Sequence, residues 1–119
     1  MPDITQDVLT ALRGVHALLH YQHPGTLTQF PCLIFFESGN TVHARADSAP
    51  YLHEIEYTLE IYALSPTVSH ALSAAADEKL RALGLLRTYC CDLFDEDARA
   101  HHRVMRYRAL CDHNAILTQ

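Results

Sequence analysis

The hydrophobic pattern of residues 51–63, YLHEIEYTLEIYA, is the clearest structural signal in the chain. Apolar and polar positions alternate along the whole segment. Because successive side chains of a strand point to opposite faces, the pattern predicts one long strand with a buried face and an acidic, solvated face. A strand of this kind is typical of an antiparallel sheet that is covered on one side only.

Two segments have the periodicity of amphipathic helices. The first, residues 4–13, follows Asp3 as a predicted N-cap and is predicted to end at Gly14. The second begins with Ser65 as a predicted N-cap and Pro66 at the first helical position. Its apolar face is predicted from helical spacing to comprise Val68, Leu72, Ala75 or Ala76, Lys79 or Leu80, and Leu83.

Further strands are predicted at residues 16–21, 32–38, 85–94 and 101–110, with a short strand or edge at 41–45. Clusters of Gly, Pro, Asn, Asp and Ser predict the connecting loops and turns, at residues 23–31, 38–40, 47–50 and 95–100. The order of elements is therefore α-β-β-β-α-β-β.

This order predicts a single α+β domain over residues 1–119. We expect one mostly antiparallel sheet of four to five strands, with the two helices packed on one face. The composition, 49% apolar and 19% charged, is ordinary for a globular chain.

Hydropathy, the N-terminal residues, the cysteines and the net charge indicate where the protein is located and what it could bind. No apolar run approaches the roughly 20 residues that span a bilayer, so no membrane association is expected. The N-terminus MPDITQD lacks a positive n-region, which favours a cytoplasmic location. Four cysteines are then expected to be free thiols that act as small apolar fillers. The net charge of −5 argues against a phosphate-binding surface, although protonation of all nine histidines would bring it to +4.

The best candidates for a metal-binding or catalytic site are Cys90, Cys91, His101 and His102, on two strands predicted to form a hairpin. Zinc prefers such ligands. Adjacent residues on a strand face opposite ways, however, so at most two of the four could meet, which is too few for a closed site. A Cys/His nucleophile pair would lack an orienting third group, and no phosphate loop, G-x-S-x-G or H-E-x-x-H motif is present. We therefore predict no catalytic residue, no cofactor and no metal site.

The charged residues predict a contact surface instead. Acidic residues of the long strand could face Arg87, or the arginines of the last strand, in cross-strand or intersubunit ion pairs. Exposed pairs of this kind stabilise by only about 0–1 kcal/mol each. The candidate interface with another subunit or partner comprises Glu54, Glu56, Glu60, Tyr62, Arg103, Arg106 and Arg108.

An ordered set of segments resembles a known family, the small tail-completion or tail-terminator proteins of long-tailed bacteriophages and prophages. The resemblance covers roughly residues 4–110. It rests on FPCLIFFE (30–37), ARAD (44–47), YLHEIEYTLEIYALSP (51–66), DEKLRALGLLRT (77–88), CDLFDED (91–97) and HHRVMRYR (101–108). The richness in histidine and cysteine departs from the usual appearance of that family.

The resemblance implies a non-enzymatic structural protein of the virion tail or neck, assembled in the bacterial host cytoplasm. Its subunits would form a ring, commonly a hexamer, that closes the tail tube and joins it to the head connector. The implied partners are other copies of the chain, the tail tube protein and the head-completion or connector protein; DNA would pass without being specifically bound. Two alternatives remain: a small cytoplasmic binding module of unrelated role, and a Cys/His metal-binding protein.

Overall fold

One six-stranded sheet carries both helices on the same face, which confirms the α+β fold with a mostly antiparallel sheet; the predicted number of four to five strands is too small. The structure is a computed structural model that describes residues 3–43, 52–112, 115, 116 and 118. The elements are α1 (Thr5–Arg13), β1 (Leu19–Tyr21), β2 (Cys32–His43), β3 (Leu52–Ala63), α2 (Pro66–Ala82), β4 (Leu86–Asp95), β5 (Ala100–Asp112) and β6 (Ala115–Ile116).

The long strand predicted from the alternating pattern, β3, lies at the centre of the sheet. The strand order is β1-β2-β3-β5-β4, with the short β6 beside β5. All pairs are antiparallel except β1 and β2. One face of β3 packs into the core, as the alternation predicts, through Ile55, Tyr57, Leu59 and Ile61.

The turn predicted at residues 38–40 is wrong, because β2 continues through it. A shift in register between Glu37 and Gly39 marks a bulge, after which pairing with β3 resumes as far as His43. The Ser-Gly-Asn sequence therefore supplies an irregularity within a strand, since the long β3 provides backbone partners on both sides of it. The predicted edge strand at 41–45 is the end of β2; residues 44 and 45 and the predicted turn at 47–50 lie outside the described residues.

Helix α1 packs its apolar stripe of Ile4, Val8 and Leu12 into the core. Its N-cap position is Ile4, one residue later than predicted, and Asp3 acts from outside the helix. The Thr5 backbone N–H donates to Asp3 Oδ1 at 2.9 Å. Hydrogen bonds from Thr5 hold the pKa of the Asp3 carboxyl below its usual range.

Helix α2 begins as predicted, with Ser65 Oγ accepting from the Val68 N–H at 3.2 Å. Its buried face overlaps the predicted one only in part, because Val68 at the start of the helix is 40% exposed. Small side chains dominate the face that is actually buried, which comprises Ser69, Ser73, Ala76 and Leu80. Apolar spacing found Ala76 and Leu80, and Leu72 and Leu83 pack at the edge of the core, but it missed Ser69 and Ser73, because a helix lying close on a sheet favours small residues over large ones.

Two buried phenols fix the helices to the sheet. Tyr107 of β5 donates from its hydroxyl to Asp77 Oδ1 of α2 at 2.7 Å. The hydroxyls of Tyr57 on β3 and Thr5 on α1 form a hydrogen bond of 2.7 Å. Burial, as the largest cause, raises the pKa of both tyrosines. Each phenol therefore stays protonated and able to donate.

Replacing each phenol tests these two anchors. We expect Tyr107→Phe to lower the free energy of unfolding by about 1.5–3 kcal/mol, because it removes a hydrogen bond to a charged acceptor. The matched change Tyr57→Phe, which removes a bond between neutral hydroxyls, is expected to cost about 0.5–1.5 kcal/mol. Urea unfolding at constant m-value gives both figures; an equal or larger cost for Tyr57→Phe would contradict the interpretation.

Two glycines with positive φ form a second matched pair. Gly84 ends the α2 region at φ +104°, and an added Cβ would lie 2.8 Å from Ile116 Cγ2. Gly25 has φ +98° with nothing within 4 Å. Both alanine substitutions incur backbone strain, but only Gly84→Ala also collides with the β6 segment, so we expect it to cost about 1–3 kcal/mol more. Thermal unfolding of the two variants measures the difference; equal losses would show that the close approach of β6 is unimportant.

Candidate interaction surface

The sheet face opposite the helices, here called the open face, carries most of the predicted interface residues. On β3, Glu56 is paired with Arg108 of β5, and Tyr62 with His102. Because alternate residues share a face, the open face includes Glu54, Glu56, Glu60 and Tyr62 from β3, and Arg106 and Arg108 from β5.

Arg103, the third arginine of the candidate interface, does not lie on the open face with Arg106 and Arg108. Its position differs from those of Arg106 and Arg108 by an odd number of residues, which places it on the helix side. There its Nε donates to Cys90 Sγ at 3.1 Å, and its Nη1 lies 3.6 Å from Asp92 Oδ1. Arg87 also lies on the helix side, 3.6 Å from Asp77 Oδ1.

The acidic side chains near the centre of the open face are bound to neighbours within the chain. Arg108 Nη1 lies 3.2 Å from Glu54 Oε1, which confirms the expected cross-strand ion pair. Ser38, at the bulge of β2, donates to Glu56 Oε1 at 2.7 Å and accepts from Thr58 Oγ1 at 2.9 Å. Ser38, Glu54, Glu56 and Arg108 line a groove of about 350 Å³. The surface therefore presents ordered, paired charges.

At the Tyr62 end the open face is covered, and the expectation of a solvated face is wrong there. The loop between β1 and β2 packs Leu27 and Phe30 against a small second core. The buried members of that core are Cys32, Ile34, Tyr62 and Ala100. Tyr62 is 3% exposed, and burial, followed by the nearby Glu60 carboxylate, raises the pKa of its phenol. Period-two alternation within one strand carries no information about a loop that returns from elsewhere in the sequence.

His102 is the residue of this end that the sequence did not single out as an interface candidate. Its ring stacks on Tyr62 with centroids 4.1 Å apart and an interplanar angle of 10°. Its Nε2 lies 3.3 Å from Glu60 Oε1 but is buried outside hydrogen-bonding geometry. The ring of His23, from the loop, meets Tyr62 edge-on at 6.1 Å. The i, i+2 spacing of Glu60 and Tyr62 predicts that they share a face of the sheet. That the imidazole of His102 lies beside them is known only from the register of β3 and β5.

The four cysteines divide into two groups. Cys32 and Cys111 are buried fillers, as predicted, and burial raises the pKa of both thiols. Cys90 is exposed and Cys91 half-buried, so the filler prediction is wrong for Cys90. All four thiols are free.

The hairpin of β4 and β5 does not place Cys90 and Cys91 directly opposite His101 and His102. Cys91 pairs with Val104, whereas His102 pairs with Leu93, so the two pairs lie at different levels. Within residues 3–43, 52–112 and the three described tail positions, no three His, Cys, Asp or Glu side chains are placed to hold a metal ion.

The outer strand β4 is a surface that the sequence analysis missed. Its large apolar side chains stay exposed, with Tyr89 at 43%, Leu93 at 51% and Phe94 at 50%. The Arg106 guanidinium carbon lies 4.8 Å from the centre of the Tyr89 ring, a cation–π contact. The segment LRTYCCDLFD does not alternate between polar and apolar residues. This lack of alternation was the one sequence feature that could have indicated a strand with apolar side chains exposed.

Comparison with known proteins gives a structural likeness. No model of a known protein family matches the chain, and no curated protein sequence matches it. A chain of a solved structure described as "Virion of native gene transfer agent (GTA) particle" is similar to it with a TM-score of 0.64 and 12% sequence identity. The match covers 87% of this chain and 90% of that one. The two chains therefore share a fold over nearly their whole lengths.

Neither helix has the length and apolar character needed to cross a bilayer, as judged over the described part of the chain.

The buried phenols predict a distinctive alkaline titration. Exposed tyrosines ionise near pH 10. The raised pKa values of Tyr57, Tyr62 and Tyr107 mean that the native state holds these protons longer than the unfolded state does. Their contribution to stability is complete below the unfolded pKa of about 10 and is lost as the pH rises above it.

We therefore expect at least three phenolates, those of Tyr57, Tyr62 and Tyr107, to absorb at 295 nm only well above pH 10, together with loss of the circular dichroism signal of the fold. In Tyr62→Phe the late step should lose one phenolate. Ionisation of all six tyrosines near pH 10 with the fold intact would contradict the burial described here.

Proposed function

We propose that the chain is a non-enzymatic structural subunit of a phage-like particle. The observation that carries this proposal is the shared fold with a chain from a gene transfer agent virion, which extends over 87% and 90% of the two lengths. Fold alone does not determine function. The ordered resemblance to tail-completion proteins, found independently in the sequence, points to the same kind of particle.

Within such a particle, we propose that the chain forms a ring, commonly of six copies, that closes the tail tube and joins it to the head connector. Ring contacts of this kind are head-to-tail, so each subunit needs two different patches. The uncovered part of the open face, with its paired charges, suits one of them. Charge pairs arranged in this way favour specificity and registration more than raw affinity.

The proposed ring also accounts for the charge balance. DNA must pass through the junction without adhering to it, and a net charge of −5 provides no general attraction for phosphates. The partners would be other copies, the tail tube protein and the head-completion protein. The location would be the neck of the virion, after assembly in the host cytoplasm.

Deleting the coding sequence from the phage or prophage tests the proposal directly. Electron microscopy is expected to show overlong or headless tails and separate filled heads, and normal particles when the chain is restored in trans. Normal, joined particles in the deletion strain would refute the proposed role.

A charge swap tests whether the open face is a contact between subunits or with a partner. The double change Glu54→Arg with Arg108→Glu keeps the ion pair within the chain, so we expect the free energy of unfolding to change by less than about 1 kcal/mol. The charge pattern shown to a neighbour is reversed, so we expect fewer joined particles in the complementation assay.

Glu78→Arg, an exposed reversal on α2, is the matched control and is expected to assemble normally. If the swapped variant assembles as well as the control does, the open face is not the contact.

A further inference from the structure

The outer edge of β4 is a long row of backbone groups without a strand beside it. Among the described residues, β4 pairs only with β5, and its ten residues form one margin of the sheet. Such an edge is a ready template for another strand. Its exposed apolar side chains, Tyr89, Leu93 and Phe94, add area that a neighbour could bury.

The opposite margin of the sheet has features that discourage pairing. Its outer strand β1 has only three residues, and β2 beyond it carries the bulge between Glu37 and Gly39. Short edge strands and bulges are common means by which proteins prevent edge-to-edge association. The irregularity of β4 lies near its start, between Arg87 and Tyr89, which leaves residues 89–95 regular. The best available partner for β4 is thus another β4.

We propose that β4 pairs antiparallel with β4 of a second copy, making a two-fold dimer with one continuous sheet. The face of the sheet must match across the junction, so odd positions meet odd positions. A two-fold axis at Cys91 places Tyr89 of each copy opposite Leu93 of the other copy. An axis at Asp92 would place two carboxylates opposite each other, which is unfavourable. Of these two registers, the one centred on Cys91 joins exposed apolar side chains.

The helices leave room for this arrangement. Helix α2 crosses the sheet above β5, with β3 and β4 beside it. Between β5 and its copy lie three strand spacings, or about 14 Å. Packed helices need only about 8–10 Å between axes, so the two α2 helices clear each other. The loop that covers part of the open face reaches only the end of β4, where His23, Gly25, Thr26 and Leu27 line a pocket with Asp95, Asp97 and Ala98, beyond the paired residues 89–93.

This dimer does not rest on the proposed particle role. A two-fold contact uses the same patch on both copies and closes on itself, so it leaves the open face free for other contacts. Failure of the dimer would leave the deletion experiment unaffected, and failure of the particle role would leave the dimer.

Sedimentation velocity over a range of concentrations tests the proposal. We expect a species of twice the 13.4 kDa of the chain at micromolar concentrations. Leu93→Lys is expected to weaken dimerisation about tenfold or more, because it places a charge in both apolar pairs. Val42→Lys changes an equally exposed apolar residue on β2, at 53%, and is expected to leave the dimer intact. A monomer at all concentrations, or equal effects of the two variants, would overturn the proposal.

Cysteine cross-linking tests the register. Directly opposed strand residues have Cα atoms about 4.5–5.5 Å apart, within the range that a disulfide can bridge. Oxidation with diamide, which accepts the two electrons and two protons of the thiols, is expected to link Cys91 to Cys91 of the second copy. The link should form in Cys90→Ser and be absent in Cys91→Ser. A dimer linked through Cys90 would overturn the register, because Cys90 faces the other side and would oppose Asp92.

Discussion

The backbone hydrogen bonding of β3 on both of its sides is the constraint on which the rest of the structure depends. β2 runs along one side of it and β5 along the other, each for nearly its whole length. With both edges occupied, β3 is fixed in register, and its alternating side chains must divide between the helix-covered core and the open face. The long strands also give the molecule its elongated form, 52 Å along its principal axis and 24 Å across.

Fixing β3 decides what is exposed elsewhere. β1 and β4 are the edge strands of the sheet, and the two helices cover only one of its faces. The tyrosines of β3 and β5 reach the helices with their hydroxyls, so the covered side is held by specific hydrogen bonds as well as by apolar contact. The other side is left with paired charges along the centre, and β4 is left with apolar side chains that no described element covers.

The sequence predicted the features that local pattern controls. The alternation of β3, the Ser65-Pro66 start of α2 and the final hairpin are each encoded within a few neighbouring residues, and all three are present. What it missed depends on distant partners. The Ser38-Gly39 pair is turn chemistry in isolation, but it forms a bulge because β3 offers a partner beyond it. Tyr62 has the spacing of a solvated residue, yet a loop ending at Pro31 returns to bury it.

The residues of the predicted interface likewise divide into those that local sequence spacing places correctly and those that depend on the strand order. Four β3 residues share a face because they lie at even spacing, whereas Arg103 lies three residues from Arg106 and therefore on the other face of β5. The exposed margin at β4 was missed because a sequence with apolar residues on both faces resembles a buried central strand. Only the strand order shows that it is an outer one.

The central claim is that the molecule works through the surfaces that its sheet leaves available. Hydrogen exchange followed by mass spectrometry, comparing the dilute chain with the same chain in purified particles, tests this claim most directly. The account predicts slow exchange in β3 in both states, and protection gained on assembly in strands of the open face or at the outer margin of β4. Identical exchange across the whole sheet in both states, or the absence of the chain from the particles, would contradict it.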